Sequence, residues 1–90
     1  MRPHFTKRTV NVSTVVEMEQ IHKDQYMRIS NTLIAIMNGK DPSMQNSTIN
    51  MKYYEKDGKL KILLWGELDF MEEMLGTISM LDDTGYENKQ

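Results

Sequence analysis

Polar and apolar residues alternate most regularly on the two sides of Asp57-Gly58. INMKYY before that pair and KLKILLW after it read as strands, and Asp-Gly between alternating runs signals a β-hairpin. A two-residue type I′ turn pairs Lys56 with Lys59, Tyr53 with Ile62 and Met51 with Leu64. One face then carries Ile49, Met51, Tyr53, Leu60, Ile62 and Leu64. The other carries Asn50, Lys52, Tyr54, Lys61, Leu63 and Trp65. A three-residue loop slips the register by one and sets Met51 and Tyr53 with Leu63 and Trp65 instead. The two-residue loop separates apolar from polar residues better. The like-charged Lys56–Lys59 pair opposes it by at most a few tenths of a kcal/mol at an exposed turn.

After Gly66 the apolar spacing becomes helical. Asp69-Phe70-Met71-Glu72 fits a capping box with Asp69 as N-cap, and acids at a helix start favour the macrodipole. Phe70, Met71, Met74, Leu75, Ile78 and Leu81 share an arc of about 140°. This helix is expected to end near residues 82–85, and residues 86–90 to form a disordered tail.

Upstream of the hairpin, residues 5–12 (FTKRTVNV) are rich in β-branched types and read as an edge strand with no cleanly apolar face. Thr14-Val15-Val16-Glu17 has the form of a capping box and predicts a long helix over 15–37. Gly39 is expected to end it in the left-handed conformation. Val15, Met18, His22, Tyr26, Ile29, Leu33, Ile36 and Met37 form its main stripe. Val16, Met27 and Ile34 form a thinner second lane, read as an oligomer contact. Residues 40–48 (KDPSMQNST) read as a loop. The element order is β-α-β-β-α. This is an α+β domain over residues 1–85, with a three-stranded, mainly antiparallel sheet packed by one long and one short helix.

Size changes the picture. A chain of 90 residues without cysteine has a thin margin of stability and no disulfide to supplement it. Two histidines, His4 and His22, make a zinc site a poor expectation. Good packing or self-association remains. A 23-residue helix of about 35 Å would overhang strands of about 25 Å, so a homodimer or higher homo-oligomer is expected. The N-terminal MRPHFTKRTV has no apolar core of a signal peptide, and no run reaches the roughly 18 apolar residues of a membrane span. A cytoplasmic protein without membrane contact is the expectation.

Signatures of catalytic, metal or cofactor chemistry are mostly absent from the pattern. The five glycines are dispersed, unlike a phosphate-cradling loop. Adjacent helical carboxylates such as Glu72-Glu73 point about 100° apart and do not face each other as an acid/base pair. His22 reads as a packing histidine in the first helix's stripe. No catalytic residue, metal site or cofactor is expected, and the chain is read as non-enzymatic.

Two surfaces remain. Lys52, Tyr54, Lys61, Leu63 and Trp65 mix aromatics with lysines on the hairpin's second face, a mixture that serves protein interfaces and base stacking alike. Residues 67–87 carry seven acids and no base. Of these, Glu67, Asp69, Glu72, Glu73, Asp82 and Asp83, with Met80, form a candidate protein-binding helix face that could mimic nucleic acid in a basic groove. Nine methionines suit a pliable contact surface. The leading expectation is a small protein-binding module that inhibits or regulates another protein, of the kind common among phage and mobile-element accessory proteins. A nucleic-acid-binding regulator using the hairpin face ranks second, because the net charge of −2 counts against it. An oligomeric protein sequestering a small ligand or nucleotide is the third reading.

Overall fold

The computed structural model describes residues 10–39 and 47–87, with side chains as far as residue 82. The elements follow the order β1 (Asn11–Met18), α1 (Lys23–Asn38), β2 (Thr48–Tyr54), β3 (Lys59–Glu67) and α2 (Leu68–Glu87). The sheet is wholly antiparallel, in the order β1-β3-β2. The α+β class and the β-α-β-β-α order are as the sequence patterns indicate.

β3 is the central strand, and its parity organises the core. Leu60, Ile62 and Leu64 are 0–2% exposed. Val12, Val16 and Met18 of β1, and Ile49, Met51 and Tyr53 of β2, pack on the same side. Over them lie Ile29 and Leu33 of α1 and Phe70, Met71, Met74 and Ile78 of α2. Both helices therefore cover one face of the sheet. No polar or charged side chain is buried among the described residues.

The first strand and first helix are displaced from their predicted places. Thr14–Glu17 does not cap a helix, because these residues lie within β1. Residues 11–18 alternate in burial, and the β-branched Val12, Thr14, Val15 and Val16 favour a pleated backbone once β3 offers a partner. Most of the strand predicted over 5–12 lies outside the described residues. β1 pairs only with β3 among the described residues and so lies at an edge, but it shares only Asn11 and Val12 with the predicted segment.

The helix begins instead after His22, whose extended backbone (φ −85°, ψ 162°) makes it the N-cap. Its N–H donates to Gln25 Oε1 at 3.0 Å. His22 is thus an exposed cap and not a packing residue of the stripe. Gly39 donates its N–H to the carbonyls of Ala35 and Ile36, but with φ −96° it is not left-handed. α1 has 16 residues and α2 has 20, the reverse of the expected long and short helices. At about 24 Å, α1 does not overhang a nine-residue strand of about 30 Å. The overhang argument for an oligomer falls with it.

The hairpin register is neither of those weighed from sequence. Tyr53 pairs with Leu60, Met51 with Ile62 and Thr48 with Trp65, so the loop is four residues, Glu55 to Gly58. Asp57 N–H donates to Tyr54 O (3.1 Å) and Gly58 N–H to Glu55 O (3.3 Å). Only Gly58 has positive φ (61°) here, which rules out a type I′ turn. The register is two residues from the favoured one. Side-chain parity is two, so each residue keeps its expected face.

Gly58 also anchors the β1–α1 link. Its carbonyl accepts the Ile21 N–H at 2.8 Å, and Tyr53 Oη donates to the Ile21 carbonyl at 2.8 Å. Ile21 is buried, and Gln20 before it turns the chain at φ 59°. The Tyr53 ring stacks on Tyr26 of α1, centroids 4.6 Å apart and planes 6° apart. Desolvation by burial, and then the Glu55 carboxylate, hold the Tyr53 hydroxyl above its ordinary pKa of 10.0. At the other end of β3, Gly66 lets α2 begin at once. A Cβ there would lie 2.5 Å from the Phe70 ring and 2.9 Å from Ser47 Oγ.

α2 starts at Leu68, directly after β3, so Asp69 falls within the first turn instead of capping it. Its acid still faces the partial positive charge of the helix start. Phe70, Met71, Met74 and Ile78 are buried as the wheel predicts, while Leu75 is partly exposed. The helix continues through Glu87, past the predicted stop at 82–85 and into the segment expected as a tail.

Two predictions test these joints. Gly66→Ala is expected to cost about 1–3 kcal/mol in urea unfolding, because the enclosed Phe70 ring must shift. Tyr53→Phe is expected to lower the melting temperature at neutral pH. The raised phenol pKa means its neutral form is favoured in the fold. That contribution is complete below pH 10.0 and is lost as pH rises through the folded value. The difference between wild type and variant should therefore shrink in strongly alkaline buffer.

Candidate functional site

Because both helices lie on one side, no described element covers the opposite face of the sheet. Three cross-strand rows build it. Ser13, Trp65 and Thr48 form one; Val15, Leu63 and Asn50 form the next; Glu17, Lys61 and Lys52 form the third. Beyond the last row Lys59 pairs with Tyr54, and at the opposite end Asn11 pairs with Glu67. Antiparallel pairing at strand spacing keeps opposite Cβ atoms about 4.5–5.5 Å apart, so each row is a continuous band of side chains.

The centre of the face is apolar. Val15 is 56% exposed and Trp65 39%, with half-buried Leu63 between them. They border a shallow depression of about 280 Å³, completed by Ser13, Thr48 and Asn50. Scattered single apolar residues are normal on any surface, but an adjoining set on a rigid sheet is a patch.

Charge is graded along the strand. From Lys59 through Lys61, Leu63 and Trp65 to Glu67, the outward positions of β3 run from positive through apolar to negative. Lys61 Nζ lies 3.6 Å from Glu17 Oε2 on β1, and Lys52 stands directly opposite Lys61 on β2. The Glu17 carboxylate offsets part of the repulsion between those two lysines. With Lys52, Lys59 and Lys61 against Glu17 and Glu67, three cations less two anions leave the face a net +1.

All five hairpin residues singled out from sequence, Lys52, Tyr54, Lys61, Leu63 and Trp65, come together here. Their β1 neighbours Ser13, Val15 and Glu17 were missed, since the capping-box pattern placed Val15 on a helix. The alternation of Asn11–Met18 was the signal that could have found them. The acidic set divides. Glu67 ends β3 on the open face, whereas Asp69, Glu72, Glu73 and Met80 fall within an arc of about 100° on the outside of α2. Asp82 lies on another flank with Leu75 and Ser79, beside a groove of about 350 Å³ against Val16–Glu19 of β1. The Asp83 side chain lies outside those described.

The expected oligomer lane does not exist as one surface. Met27 and Ile34 are exposed on α1, but Val16 belongs to β1 and faces the core. The helix predicted across residue 16 was the source of that grouping. Among the described residues no three of His, Cys, Asp and Glu come together as metal ligands. No described helix is long and apolar enough to cross a membrane.

No protein-family model, no curated protein and no solved structure matches the chain.

The Glu17–Lys61 pair is exposed on both sides, so it contributes little to folding. Glu17→Gln is expected to change the free energy of unfolding by less than about 1 kcal/mol in urea titration. A larger loss would mean that this charge holds the sheet together and does not belong to a contact surface.

Proposed function

We propose that this chain is a non-enzymatic protein-binding module, acting as a regulator or inhibitor, and that its contact surface is the open face of the sheet. The observation that carries this reading is the exposed apolar centre, Val15, Leu63 and Trp65, framed by polar and charged side chains. An apolar centre with a polar rim is the general anatomy of protein interfaces. Tyr54 and Trp65 supply the aromatic types enriched among energetic anchors. The backbone beneath them is pinned by the core, so little ordering entropy is lost on contact.

The same face serves nucleic acid less well. Aromatics for base stacking are present, but a net charge of +1, with one lysine already facing a carboxylate, neutralises few phosphates. The acidic arc on α2 remains an exposed, solvated stripe with no apolar residue except Met80. It is the second candidate contact, after the sheet.

Affinity capture from the source-cell lysate tests the choice. Leu63→Asp is expected to lose a protein captured by the wild type while keeping the same circular dichroism spectrum. Glu72→Lys/Glu73→Lys is expected to retain it, and nuclease treatment should change nothing. Loss with the α2 variant alone would move the contact to the helix, and loss on nuclease treatment would favour nucleic acid.

A further inference from the structure

We infer that the occupant of the open face is a second copy of this chain, with the two β3 strands lying antiparallel over one another about a two-fold axis through Leu63. This rests on the reading of the open face as a protein-binding surface and names its partner. The argument is the order of side chains along β3. Lys59, Lys61, Leu63, Trp65 and Glu67 all point outward, with two cations at one end, apolar residues in the middle and an anion at the other end.

A closed two-fold contact requires a self-complementary surface. With the strands of the two sheets aligned, two arrangements bring this face onto itself. With the strands parallel, Lys59 and Lys61 of one copy lie over the same lysines of the other. With the strands antiparallel, Lys59 meets Glu67 at both ends, Lys61 lies over the Trp65 ring, and Leu63 meets Leu63. Val15 then meets Val15 on β1, and Glu17 meets Ser13. The antiparallel arrangement places no like-charged pair across the contact, and it sets a cation on an aromatic face. Packed sheets lie about 10 Å apart, a gap that a lysine and a glutamate span together.

Area sets the strength. A nine-residue strand of about 30 Å and three strands at about 4.8 Å give each copy a flat footprint of about 400 Å². Two footprints total about 800 Å² before side-chain relief is added, short of the roughly 1,200–2,000 Å² of stable complexes. The dimer is therefore reversible, forming as the protein concentration rises.

Sedimentation equilibrium from low-micromolar to near-millimolar protein tests this. The wild type is expected to move from monomer to twice the monomer mass, and the emission of Trp65, the single tryptophan, to shift to the blue as it does so. Leu63→Asp should stay monomeric. Lys59→Glu and Glu67→Lys should each weaken self-association about tenfold, because each creates two like-charged contacts. An equimolar mixture of these two variants should regain wild-type association as a heterodimer, as should the double variant K59E/E67K alone. Tighter association of Lys59→Glu would overturn the antiparallel arrangement, and so would a failure of the mixture to recover.

A wild type that stays monomeric throughout overturns the inference. If Leu63→Asp nevertheless loses a protein captured from lysate, the open face still binds protein and only self-pairing fails. If Leu63→Asp alters neither behaviour, both readings fail.

Discussion

The inward row of β3 is the constraint on which the rest depends. Leu60, Ile62 and Leu64 are enclosed by two strands at the sides and two helices above. Leaving any of them in water would forfeit roughly 1.5–3 kcal/mol, so the pleat parity of the central strand is strongly imposed. That parity dictates which residues of β1 and β2 face inward. It also dictates where the helices must lie. Gly66 extends the same row to the start of α2, where the absence of a side chain admits the Phe70 ring. At the other end, the Ile21–Gly58 and Tyr53–Ile21 hydrogen bonds tie the first crossover to the hairpin. The two ends of β3 are thus joined to the two helices by different devices, one steric and one polar.

The open face is a consequence of that arrangement. Both helices lie on one side, so among the described residues the outward row of β3 has no covering layer. A sheet with one wet face ordinarily alternates apolar-in and polar-out. β3 departs from that rule at Leu63 and Trp65, and β1 departs from it at Val15 in the adjoining position. The departures meet one another across the strands, flanked by lysines on one side and Glu67 on the other. Surfaces that serve only solvation rarely gather exposed apolar residues into one adjoining set.

The β1–α1 boundary shows what a local pattern misses. Thr14-Val15-Val16-Glu17 satisfies the spacing of a capping box, and a helix pattern can be drawn through it. The same residues satisfy strand alternation. A capping interaction contributes about 1 kcal/mol, whereas pairing with β3 along eight residues supplies a hydrogen-bond ladder and packs the half-buried Val12, Val16 and Met18 against the core. Glu17 is then free to reach Lys61. The true cap, His22 with Gln25, sits on a tight left-handed turn at Gln20 and was read as part of an apolar stripe.

By itself, the sequence determined the element order, the hairpin, the division of its residues between two faces, and the buried side of α2. These follow from periodicity over short stretches, where each residue's environment is set by near neighbours in the chain. The hairpin faces were legible even though its register was off by two, because parity repeats every second residue. The five hairpin residues of the candidate surface were legible for the same reason. Tertiary structure alone decided that Val15 and Glu17 join them, since that depends on β1 pairing with β3 across more than forty residues of chain. It also decided that both helices share one face. Hydrophobic periodicity marks a helix face that must be buried, but does not say which side of the sheet will bury it.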